Sequence, residues 1–227
     1  MDTSTMENEY LKTVIIMRAV SGSGKTSIAR FITDTLEQTR LSFGIHSTDE
    51  FFLVDNRYVF ELEKLAEYHR LNLEHFADDL RRGTDVVVCD NMNLLPWQSE
   101  SYTTAARENG YQIVFINFLT RELKDHIAAQ QVTPEKPDAH NLSKELLVRL
   151  IDDFHTYNEL LDENSELNHE KHFNFVWDSE KKERKWLDAL EKGFDFDHVI
   201  TIDPNQYHQI KHTIGNTVVK LIRREDG

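Results

Sequence analysis

Apolar residues cluster along the chain in short runs, each followed by a longer amphipathic stretch. Val14-Ile15-Ile16-Met17, Val86-Val87-Val88-Cys89 and Ile113-Val114-Phe115-Ile116 are continuous, short and rich in β-branched residues. Such runs are expected of parallel strands buried on both faces. A weaker run at 41–47 reads as another short strand. Between them, residues 25–37, 61–80 and 96–109 carry apolar positions at helical spacing, the second through Leu62, Leu65, Ala66, Leu73, Phe76 and Leu80. Gly83 and Gly110 stand where helix C-caps belong. Strands separated by helices of this length imply right-handed crossovers, a mainly parallel sheet and a three-layer α/β/α architecture.

The pattern changes after Thr120. Residues 121–131 and 142–161 read as helices around a breaker cluster at 133–138 that contains Pro134 and Pro137. Further on, 172–177 reads as a strand, 178–192 as a charge-rich solvated helix, 199–202 as a last strand and 207–223 as a closing helix. The length of 227 residues suits one domain. Its core is expected at about 12–120 plus 195–223, with a helical insert at about 121–165 and a peripheral segment at 166–194.

Charge narrows the partners. Forty acidic against 26 basic residues give a formal net charge of −14. Proteins that grip nucleic acid along its phosphates usually present a basic surface, so an extended footprint is not expected. A short contact with one strand end remains compatible. The single cysteine, Cys89, provides no intramolecular disulfide and fits a reducing compartment. No signal peptide and no run of membrane-spanning length is visible, so a soluble cytoplasmic protein with no membrane partner is expected.

The chemistry begins at the end of the first apolar run. Ala19-Val20-Ser21-Gly22-Ser23-Gly24-Lys25-Thr26 lies between a strand signal and a helix signal, the setting a Walker A phosphate loop requires. Its glycines let successive N–H groups face phosphate oxygens, and the helix N-terminus adds a positive dipole. Ser21, Gly22, Ser23, Gly24, Lys25, Thr26 and Ser27 are the candidate nucleotide-binding residues. Lys25 would reach the β- and γ-phosphates of ATP, and the Thr26 hydroxyl would sit on Mg²⁺. The first position is alanine rather than glycine, which is acceptable only if its φ is ordinary.

Two carboxylates complete the expected site. Asp90 ends the third strand and is placed in the metal shell with Thr26. Asp49 ends the second strand and can accept the proton of an attacking hydroxyl.

Met17-Arg18-Ala19-x-x-Gly-Ser-Gly-Lys-Thr, Ser47-Thr48-Asp49-Glu50-Phe51-Phe52 and Asp90-Asn91-Met92-Asn93, in this order and spacing, resemble the polynucleotide 5′-kinase-like P-loop kinases. Phage-type 5′-hydroxyl polynucleotide kinases and related eukaryotic modules belong to that family. Arg57-Tyr58-Val59-Phe60, Lys64-Leu65 and the His69-x-x-Asn72 spacing are similar to the segment after the acidic motif in that family. The resemblance spans roughly residues 12–165 and makes the helical insert a lid. It implies Lys25 and Thr26 on ATP·Mg²⁺, Asp49 as general base, Asp90 in the metal shell and Asn93 as a polar support for phosphates or acceptor. Two features depart from it. Family lids supply arginines to the transferring phosphoryl, whereas the corresponding stretch here is Ile127-Ala128-Ala129-Gln130-Gln131, with Arg121, Lys124, Lys136 and Lys144 as the nearest cations. Phe52 stands where phage-type enzymes carry an arginine, and Arg57 is the candidate replacement.

Other signals are left with ordinary roles. His208 and His212 lack a third ligand at a known spacing, His46 reads as a strand residue, and Cys89 as a small buried hydrophobe. Trp97, Trp177 and Trp186 are assigned to packing. The residues admit three functions: a kinase of a 5′-OH on nucleic acid or nucleotide, a kinase of a nucleoside, modified DNA base or other small hydroxyl acceptor, and a nucleotide-binding module that has lost transfer.

Overall fold

A computed structural model describes residues 10–131, 139–163, 171–178, 183–187 and 201–202. Strands β1 (Thr13–Ala19), β2 (Phe43–His46), β5 (Val86–Cys89), β6 (Gln112–Phe118) and β7 (Lys171–Asp178) run parallel in the order β2-β5-β1-β6-β7. Helices α1 (Lys25–Leu36), α2 (Leu62–Arg82) and α3 (Pro96–Glu108) provide the crossovers. Side chains alternate along β1. Ile15, Met17 and Ala19 pack with Ile28 and Ile32 of α1, whereas Val14 and Ile16 pack with Phe76 and Leu80 of α2 and Tyr102 of α3. A strand between two helical layers must be apolar on both faces, which is why its sequence is continuous rather than alternating.

β8 (Glu183–Leu187) and β9 (Thr201–Ile202) extend the sheet with antiparallel pairing. This corrects two expectations. The charged segment read as a helix over 178–192 contains a strand, with Phe175 opposite Trp186 and Val176 opposite Lys185. The segment read as peripheral continues the central sheet at its β6 edge. An edge strand tolerates charge, and mixed charges at close spacing mimic a solvated helix. The breaker cluster at 133–138, the closing helix at 207–223, Lys136 and the pair His208 and His212 lie outside the described residues.

The insert after β6 contains α4 (Leu123–Ala129) and α5 (Lys144–Glu163). They share an apolar cluster with the phosphate-loop residue Val20 and with Leu94, through Leu123 and Ile127 of α4 and Leu147 and Phe154 of α5. Arg18 of β1 fastens α5 to the sheet. Its fully buried guanidinium lies between the rings of Phe154 (4.1 Å) and Tyr157 (3.9 Å), and Nη2 donates to the Phe154 carbonyl at 2.8 Å. Burial pushes this guanidinium down to about 9, so it stays charged at neutral pH.

α2 differs from its sequence pattern. Phe76 and Leu80 enter the core, but Leu62 is 68% exposed and Ala66 is also exposed, so the N-terminal half of the stripe faces outward. Trp97, expected in packing, is 66% exposed. Among the described residues, no helix is long and apolar enough to cross a membrane.

Candidate active site

Four strands deliver the candidate residues to one sheet edge, beyond their C-terminal ends, where open α/β sheets place ligands. After β1 the chain turns through Gly22 and Gly24 at φ +80° and +82°. Gly24 is the N-cap of α1, with no side chain capping the helix and no acid in its first turn. Those N-terminal amides and the helix dipole therefore face no competing carboxylate of the same helix. The buried Ser23 hydroxyl has no hydrogen-bond partner among the described residues. A phosphate group fits this cradle of amides, lysine and unpartnered hydroxyl. Ala19 lies within β1, where extended backbone accepts a Cβ, and its N–H donates to the Met92 carbonyl at 2.9 Å.

Lys25 Nζ meets Asp90 twice, at 2.5 Å to Oδ1 and 2.7 Å to the backbone oxygen. Asp90 is 1% exposed and Lys25 11%, so the pair is held in a low-dielectric setting. The Ser47 hydroxyl also donates to the Asp90 carbonyl, at 3.3 Å. The Thr48 N–H donates to Asn91 Oδ1 at 2.9 Å. These bonds tie the acidic turn Thr48–Phe52 to the end of β5. Thr26 is exposed and Ser27 half-buried on the first turn of α1.

Asp49 sits in that turn with its side chain 41% exposed. The Tyr58 hydroxyl donates to Asp49 Oδ1 at 3.0 Å, and His140 Nε2 lies 3.6 Å from Oδ2. Burial, then the Asp49 charge, pushes the Tyr58 phenol well above its usual range, so it is a proton donor to the carboxylate. Glu50 is a further acid at this edge. Its carboxyl is pushed up by desolvation and by the charge of Asp90. The order of acids in Thr48-Asp49-Glu50 could have marked it, but only its proximity to Asp90 distinguishes it from an ordinary surface glutamate.

α4 braces the phosphate loop from outside. His126, fully buried, lies 2.9 Å through Nδ1 from the Ser21 carbonyl and accepts the Arg121 N–H on Nε2 at 3.1 Å. That pairing assigns its proton to Nδ1, which donates to Ser21, and desolvation lowers its basicity. Arg121 Nη2 donates to the Ser23 carbonyl at 2.9 Å. Gly22 leaves just enough room, since a Cβ there would lie 3.0 Å from the His126 carbonyl oxygen and 3.3 Å from Ala129 Cβ. Sequence reasoning missed His126, whose only signal is its position three residues beyond a half-buried Leu123.

The remaining candidates divide. Arg121 is against the loop, whereas Lys124 is 73% exposed and paired with Glu122 at 2.6 Å. Lys144 begins α5 and is exposed. Asn93 is buried at φ +48°, and its amide donates to the Met17 carbonyl at 2.8 Å. That bond gives it the work of holding the β5 loop to β1. Phe52 is buried among Tyr58, Phe60 and Tyr68. Arg57 is exposed on the hairpin of β3 (Leu53–Val54) and β4 (Arg57–Tyr58). His46 bonds Asp79 at 2.8 Å, and burial pushes the Cys89 thiol up to about 12. Among the described residues, no cluster of three His, Cys, Asp or Glu side chains could hold a metal.

The fold is similar to those of solved structures. A chain of the Pnkp1/Rnl/Hen1 RNA repair complex superposes with a TM-score of 0.50 at 13% identity, over 69% of this chain and 48% of that one. The chain has a P-loop kinase-like α/β fold. A chain of the AvrRxo1-ORF1:-ORF2 complex superposes with a TM-score of 0.54, at 16% identity, over 88% of this chain and 64% of that one. In sequence, human NEDD4-binding protein 2 is 25% identical over 144 residues, which are 63% of this chain. The matched region spans 8% of that relative's own length. No protein-family model matches the chain.

Proposed function

We propose that this chain is an ATP-dependent kinase that phosphorylates a hydroxyl group, the 5′-OH of a nucleic acid or nucleotide. The observation that carries the reading is the gathering of Lys25, Asp90 and Asp49 on adjacent strand ends beside a helix N-terminus with no side-chain cap. The fold shared with the Pnkp1-containing complex supports it.

In this reading, the loop amides from Ser21 to Ser27 and Lys25 hold the triphosphate, and Arg121 supports the charge that develops on the γ-phosphoryl. Thr26 and Asp90 would hold Mg²⁺, which would supply positive charge to neutralise the phosphates during transfer. Asp49 orients the acceptor hydroxyl and takes its proton as the acceptor oxygen bonds to the γ-phosphorus, the bond to the bridging oxygen breaks and ADP leaves. Catalysis then rests mostly on positioning and charge, for which buried, pre-bonded groups suit. Lys124 and Arg57 remain candidates for contacts made with substrates bound, the latter towards the acceptor.

Transfer of labelled γ-phosphate to 5′-hydroxyl DNA and RNA oligonucleotides tests the proposal, with Asp49→Asn and Lys25→Ala as controls. Label on the 5′ end, lost in both variants, is the expected result. Label appearing only on nucleosides, modified bases or other small alcohols would replace the acceptor. ATP binding without transfer to any acceptor would leave a silent nucleotide-binding module.

A further inference from the structure

The general-base candidate has unusual company. Both oxygens of Asp49 are approached by aromatic rings, Tyr58 on Oδ1 at 3.0 Å and His140 at 3.6 Å from Oδ2. Those two rings lie face to face, 4.1 Å between centroids and 8° from parallel. Phe60 continues the series at 6.4 Å and 16° from Tyr58 and is 50% exposed. Tyr58 and Phe60 come from the small β3–β4 hairpin region, outside the main sheet, whereas His140 comes from the segment before α5. Val54, Val59 and Leu62 are also exposed there.

Resting on the kinase reading, we propose that the Tyr58 ring is the platform on which the terminal base of the acceptor stacks, and that His140 fills that place in the free protein. The scale agrees with this assignment. In a 5′ nucleotide the hydroxyl and the base are separated by one ribose, and the Tyr58 ring begins at the oxygen that bonds Asp49. A hydroxyl seated on Asp49 therefore brings its base alongside Tyr58. Imidazole is a flat heteroaromatic ring with a nitrogen towards Asp49, the shape and polarity of a nucleobase edge. The net charge of −14 also suits a contact made by stacking on one terminal nucleotide rather than by neutralising many phosphates. The acceptor class is thus a nucleoside-bearing alcohol, with little discrimination among bases, because every base has a π-face.

The test uses the full chain without ATP and a 5′-hydroxyl DNA oligonucleotide carrying fluorescent 2-aminopurine as its first base. A second oligonucleotide carries it at the third. Binding is followed by anisotropy and stacking by quenching. The wild type is expected to quench the first-position probe alone. Tyr58→Leu should abolish that quenching and raise Kd about tenfold, Tyr58→Phe should keep it, and His140→Ala should tighten binding because the platform is bared. Unchanged quenching in Tyr58→Leu, His140→Ala binding no tighter than wild type, or no binding of the oligonucleotide would each overturn the platform. Should Tyr58→Leu fail to fold, the His140→Ala result decides alone. Adding ATP and Mg²⁺ separates the two proposals. Quenching without 5′ labelling keeps the platform and removes the kinase, whereas labelling without quenching does the reverse.

Discussion

Lys25 Nζ and Asp90 Oδ1 are 2.5 Å apart, so the lysine of the phosphate loop is held by the acid that ends the neighbouring strand. The two charges compensate each other where water scarcely reaches. Removing one strands the other, at a cost of about 3–5 kcal/mol for a buried pair. Lys25→Ala is expected to lose that much stability in urea unfolding and to lose ATP binding. Lys25→Ala/Asp90→Ala should be more stable than the sum of the single variants implies, by at least ~1 kcal/mol. Strict additivity would mean that the pair does not couple.

Arg121 is the cation that the proposed mechanism sets beside the transferring phosphoryl, and its guanidinium bonds the Ser23 carbonyl of the loop. Arg121→Ala should lower kcat by about 10³-fold while leaving KM for ATP within a few-fold. Arg121→Lys should recover little, because a point charge does not reproduce a planar fork. Lys124→Ala, at an exposed side chain paired with Glu122, should cost far less than Arg121→Ala. Steady-state kinetics with varied ATP separates these outcomes.

The loop should be acid-sensitive through His126. Its pKa is lowered from the ordinary 6.5, first by desolvation, so between the two values the unfolded chain binds more protons. Stability is then full above pH 6.5 and declines as pH falls towards the folded-state value. His46 and His69 shift in the same direction. Thermal unfolding at pH 7.5, 6.5 and 5.5 should show the decline, with a shallower slope in His126→Gln. An identical slope in that variant would assign the effect to the other histidines.

Position-specific backbone demands separate two small substitutions. Gly22→Ala combines φ +80° with a Cβ only 3.0 Å from the His126 carbonyl. It should weaken ATP binding about tenfold or more, as left-handed strain of ~1–2 kcal/mol adds to displacement of α4. Ala19→Gly, inside a strand, should cost about 0.5–1 kcal/mol of stability and leave ATP affinity unchanged. Calorimetric titration with ATP reads both.

The parts legible in the sequence are those whose signal is local. The phosphate loop, the buried strands and the paired helices emerge from spacing alone, and so does the tolerance of Ala19 once its strand is assigned. Two other elements differ in how much signal they carry. Asp55-Asn56, both at positive φ, form the two-residue turn between β3 and β4, a pairing that favours a hairpin and stands in plain sight in the sequence. Glu183 to Leu187 becomes a strand because β7 offers an edge, a fact no window of the charged run contains. The braces on the loop are least legible, since His126 and Arg121 act about 100 residues from Ser21 and Ser23. Asn93 shows the converse, a motif residue whose amide is spent on the Met17 backbone.

Arg18 gives the nucleotide motif a late completion date. The strand that ends in the phosphate loop is among the first elements of the chain, yet the Phe154 carbonyl that receives its guanidinium lies 136 residues further on. Until α5 has been synthesised and docked, a charge sits in the heart of β1 without the two rings and the carbonyl that make its burial tolerable. A nascent chain stopped before α5 would hold every letter of the phosphate-loop motif without the footing beneath it. The shortest fragment expected to bind nucleotide is therefore set by the far end of the insert rather than by the motif itself.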